Sequence, residues 1–169
     1  MPHMDIYRPD QWHDLFIMVG GGTAALTGLV FVAMSLNLDA IVHDATHRYR
    51  AIGTLSSFTA VFILSSLVLM GGQNHVAVGI EWLTVSGIAA YIYINGYIQA
   101  HTRGGSREAL SILRTVIGTT CYLAQIVGSI ILIMGHLWGL YLASVAMIAF
   151  FAYMISGAWL LVVGVQRKS

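Results

Sequence analysis

The chain has 169 residues, of which 57% are hydrophobic and 9% charged, with a mean hydropathy of +0.78 and a formal net charge of +1. Soluble domains carry about 25% charged residues, so this chain lacks the polar groups to cover a water-facing surface, and composition points to an integral membrane protein. The near-neutral balance and the lack of any nucleic-acid-binding motif give no reason to expect RNA or DNA as a partner.

The first sixteen residues mix polar and aromatic side chains, without the basic and apolar regions of a cleaved leader, so the first apolar run is expected to stay as an anchor. A spanning helix needs about 20 mostly apolar residues. Five stretches meet this length: Leu15 to Leu36, Ala51 to Met70, Val76 to Ile98, Thr115 to Met134 and Trp138 to Val165. Backbone in hydrocarbon must satisfy its own hydrogen bonds, and such long continuous runs do so as helices rather than barrel strands. The predicted fold is therefore all-α, a single transmembrane bundle of about five helices. Residues 37–50 form a long predicted linker and Gly135-His136-Leu137 the tightest, so neighbouring helices run antiparallel with no room for a soluble domain.

Basic residues set the expected direction. Arg48, Arg50, Arg103, Arg107, Arg114, Arg167 and Lys168 fall on one side, and only Arg8 on the other. Positively charged loops stay in the cytoplasm, which places the N-terminus outside and the C-terminus inside. Trp12, Trp82 and Trp138 are expected at the outer interface, where Trp is favoured.

No ionisable side chain lies at the centre of a predicted span, which disfavours a carboxylate-driven pump. What remains in the bilayer is small and neutral. Gly118, Cys121, Gln125 and Gly128 share one face of the fourth span, and Thr84, Tyr91 and Asn95 share one face of the third, below Glu81. The second span offers Thr54, Ser57 and Ser65. These groups either pack helices together or line a polar path, for which Gln125, Asn95, Thr84, Ser65 and Tyr91 are the candidates. Gly20, Ala24 and Gly28 form a small-residue stripe suited to close helix packing. Gly20-Gly21-Gly22 admits either a continuous or an interrupted first helix.

The outer side gathers His13, His75 and His136 with Asp10, Asp14 and Glu81, a rim able to attract cations, bind a divalent metal or titrate near neutral pH. On the inner side Asp39, His43 and His47 are four apart, and would point one way, as metal ligands do, if the first helix ran on past the membrane. Cys121 is the one cysteine, which excludes an internal disulfide and a Cys-based zinc site. No hydrolase, phosphate-binding, dinucleotide or haem-attachment motif occurs, so neither an enzyme nor a bound cofactor is expected.

The run Gly22 to Leu38, GTAALTGLVFVAMSLNL, resembles the opening helix of an uncharacterised family of small bacterial polytopic membrane proteins. That resemblance implies a bacterial plasma membrane and carries no activity. Size and span number are also similar to the porphyrin-binding tryptophan-rich sensory proteins. Their Pro- and Trp-rich motifs are missing here, where both prolines precede the first span, so that family is set aside. Three functions fit these features: a homo-oligomeric channel or passive transport protein, a non-catalytic accessory or scaffolding subunit of a larger membrane complex, and a metal- or pH-sensing membrane protein. The sequence favours the channel, with the lipid bilayer and further copies or other membrane subunits as its partners.

Overall fold

The computed structural model describes residues 11–36, 38–43, 45–104 and 109–166. Among these residues six helices follow one another: α1 (His13–Leu36), α2 (Leu38–His43), α3 (Ala45–Val68), α4 (His75–Gly104), α5 (Ala109–Ile133) and α6 (Trp138–Gln166). There is no strand among the described residues. Five helices, all but α2, are long and apolar enough to cross a membrane. At 1.5 Å per residue, the 24 residues of α1 extend about 36 Å, more than the apolar thickness of a bilayer.

The helices pack in sequence order. α1 lies against α3, α3 against α4, α4 against α5 and α5 against α6. α3 also meets α6, which places it between α1, α4 and α6, and α2 rests on α3 at the end opposite Trp12. Every long helix carries large apolar side chains on its outer surface as well as its inner one. α6 buries Leu140, Met147 and Phe150 and exposes Val145, Ile148 and Ile155. A helix that is hydrophobic all round suits a membrane, where protein core and lipid make the same demand.

Short turns join the helices at the Trp12 end. Gly135 ends α5 with φ of 87°, a left-handed conformation that costs glycine nothing. It donates its N–H to Leu132 O at 2.9 Å, and His136 donates to Ile131 O at 3.2 Å, a Schellman closure of the last turn. At the start of α4, the Asn74 side chain accepts from Ala77 N at 2.8 Å and caps the helix. α5 and α6 come together through facing glycines. A Cβ on Gly128 would lie 2.7 Å from Gly139 O, and one on Gly139 would collide with Gly128 O. Only hydrogen at both positions permits this approach.

α1 is continuous through Gly20, Gly21 and Gly22. Two expectations are corrected. Residues 38–43 and 45–50 are helical, the first as α2 and the second because α3 begins at Ala45 with a polar turn that extends beyond the apolar run. Trp82 does not turn its ring outward but is fully buried: its indole N–H donates to Leu64 O at 3.3 Å, and its ring meets Phe16 edge-on at 5.9 Å. Trp12 is also largely buried, against Tyr141 at 4.7 Å. The strongly exposed tryptophans are Trp138 and Trp159, near opposite ends of α6.

Candidate functional site

The buried polar side chains of the described residues are all neutral: Thr23, Ser57, Ser65, Ser86, Gln125, Ser129 and Ser144. Several tie one helix to another. Ser86 on α4 donates to Gln125 Oε1 on α5 at 3.2 Å. Ser57 on α3 and the Tyr122 hydroxyl on α5 are 3.1 Å apart. Ser65 on α3 donates to Met147 Sδ on α6 at 3.9 Å. Nearer the His43 end, the Tyr93 and Tyr153 hydroxyls join α4 to α6 at 3.1 Å. Aromatic rings fill the space around them: Tyr122 lies 4.6 Å from Phe150 and 5.6 Å from Tyr93, and Phe58 lies 6.3 Å from Phe151.

Gln125 is the largest polar side chain in this core, only 1% exposed. Its carbonyl end takes the Ser86 proton, and its Nε2 has no hydrogen-bond partner among the described residues. A buried donor left unpaired costs about 1–3 kcal/mol. The Ser144 hydroxyl is also unpaired there. The α5 face predicted from spacing does turn inward: Gly118, Gln125 and Gly128 are buried, and Cys121 is half-buried against the core.

The predicted polar-path residues are not brought to one place. Gln125 and Ser65 are inside the bundle, whereas Thr84 and Tyr91 are exposed, Tyr91 at 71%. Thr84, Tyr91 and the partly exposed Asn95 share a face of α4, as their spacing requires, and that face is the exterior. The Thr84 hydroxyl donates to Ile80 O at 2.8 Å and Asn95 Nδ2 to Tyr91 O at 3.0 Å, so both are partly satisfied by their own helix. The small-residue stripe divides too. Gly20 packs against Ser65, 3.1 Å from an added Cβ, while Ala24 and Gly28 are exposed.

At the Trp12 end, Glu81 is held by an amide rather than a histidine. Gln73 Nε2 donates to its two oxygens at 3.0 and 2.9 Å. His13 Nδ1 lies 3.4 Å from Asp14 on an exposed turn, His75 is half-buried and His136 exposed. Asp10 lies outside the described residues. Among the described residues no three of His, Cys, Asp and Glu are grouped to hold a metal ion. On the far side, Asp39 and His43 belong to α2 and His47 to α3, so they do not share the continuous helix that would align them.

The partners Ser86, Tyr93 and Tyr153 were not singled out from sequence. Ser86 carries one available signal: it lies seven residues beyond Gly79, where α4 approaches the α5 backbone at Ser129 O, 3.2 Å from an added Cβ. Comparison with known protein families, with characterised proteins and with solved structures finds no match.

Proposed function

We propose that this chain is a non-catalytic accessory subunit of a larger assembly in a bacterial plasma membrane, with its N-terminus outside and its C-terminus in the cytoplasm. It works by docking the exterior of α4 on another membrane-spanning helix. The observation that carries this reading is the outward face of α4, where Thr84, Tyr91 and Asn95 lie among Ile80, Ile88 and Ile98 over about 16 Å of helix. Hydrocarbon is a poor solvent for an amide and a phenol, and a protein surface supplies what they lack. The fitting partner is a helix with small side chains opposite Ile88 and Tyr91 and a hydrogen-bonding group at the depth of Asn95. The core supports the same reading, because Ser57, Ser65, Ser86 and Gln125 are used in joining helices.

The channel is the second reading, favoured by the same face. Copies meeting at α4 would turn a polar stripe toward their shared axis. A photo-crosslinker at Tyr91, used in native membranes, separates the two. A stoichiometric adduct with a different membrane protein supports the accessory subunit. An adduct between copies, with flux in liposomes that Asn95→Leu changes, supports the channel. A protein that crosslinks to lipid alone defeats both.

A further inference from the structure

We infer that the bundle holds one ordered water at Gln125, closing a three-membered hydrogen-bond ring with Ser86. This site lies in the core, so it stands or falls separately from the docking face of α4.

Two observations lead to it. Gln125 is 1% exposed and Ser86 fully buried, yet only one end of the Gln125 amide is used, by Ser86 Oγ at 3.2 Å from Oε1. Nε2 has no partner among the described residues. Turning the amide over does not help: Ser86 would then pair with the other end and leave the carbonyl unused. The second observation is that the Ser86 hydroxyl, having donated its one proton, keeps lone pairs that can accept. The unused amide donor and the unused hydroxyl acceptor therefore belong to the same hydrogen-bonded pair. A water accepts from Nε2 and donates to Ser86 Oγ. Its two partners are enough for a buried water, which typically makes about 2–4 hydrogen bonds.

The chemistry selects the ligand. No charged side chain is among the buried residues described, so nothing there offsets an ion. The site asks for a neutral molecule that accepts from nitrogen and donates to oxygen, and water is the smallest that does both. Ser144 is a weaker case, because a helical serine can turn its hydroxyl to the carbonyl four residues back. Ser129, one turn along α5 from Gln125, already does this, donating to Gln125 O at 2.7 Å.

The test uses the full chain in lipid nanodiscs, labelled with ¹⁵N at glutamine. Water-edited NMR should show magnetisation passing from water to the Gln125 side-chain amide, which is identified by its loss in Gln125→Met. A high-resolution map should place one density peak about 2.7–3.2 Å from both Nε2 and Ser86 Oγ. A Gln125 amide that receives no transfer from water, or a map in which Nε2 donates straight to a protein carbonyl, overturns the inference. Gln125→Leu serves where Gln125→Met does not fold.

Discussion

Adding one methyl group to Gly128 should separate α5 from α6. In the wild-type structure a Cβ there would lie 2.7 Å from Gly139 O and 2.9 Å from both the Cβ and the N of Ala143. Two of these three atoms are backbone and cannot rotate away. Restoring an ordinary separation of about 3.5 Å requires the helices to part by about 0.6–0.8 Å, which forfeits a quarter or more of the dispersion along the seam. Overpacking of this kind costs about 1–3 kcal/mol. The control is Gly96→Ala in α4, where an added Cβ meets nothing within 4 Å. Both variants gain the same intrinsic helix preference of alanine over glycine, so their difference isolates the clash. Reversible denaturation in mixed micelles, followed by tryptophan fluorescence, should find Gly128→Ala less stable than Gly96→Ala by about 1–3 kcal/mol. Equal stabilities would refute the close-approach argument.

Ser86→Ala removes the one proton given to Gln125 and should destabilise by about 1–3 kcal/mol, whereas Gln125→Leu, which removes the whole buried amide, should cost less, in the same unfolding assay. Trp82→Phe should lose about 1–2 kcal/mol with the indole bond to Leu64 O, read in the same unfolding assay. In a Cys121→Ala background, a cysteine at Gln73 should react with a membrane-impermeant maleimide in intact cells, and one at His43 only after permeabilisation. The reverse pattern would overturn the orientation.

Five apolar runs were enough to predict five spans, because hydrocarbon demands helices of that length whatever they pack against. The ends were less legible. α3 starts with Thr46, His47, Arg48 and Arg50, and α4 runs on to Gly104 through His101 and Arg103: helix formation there is not signalled by hydropathy. Which face turns inward was the least legible of all. In water, a polar residue on an apolar helix marks the outside. In a bilayer the outside is also apolar, so Gln125 turned in and Thr84 turned out look alike in sequence. The outer-rim residues failed to predict their neighbours for another reason. Glu81 is met by Gln73 from the preceding turn, a pairing set by the geometry of that turn rather than by charge.

The two exposed tryptophans of α6 also bear on the lipid around the protein. Trp138 and Trp159 are separated by 21 residues, about 32 Å along the axis, and both rings favour the boundary between headgroups and hydrocarbon. In a bilayer whose apolar layer is about 30 Å thick, α6 seats both rings with a tilt of about 18°, close to the common value for spanning helices. Where that layer is about 27 Å, the tilt must reach about 31°. Because α6 is welded to α5 at Gly128 and Gly139, the hairpin must lean as one body, and bilayer thickness becomes a force on the rest of the bundle.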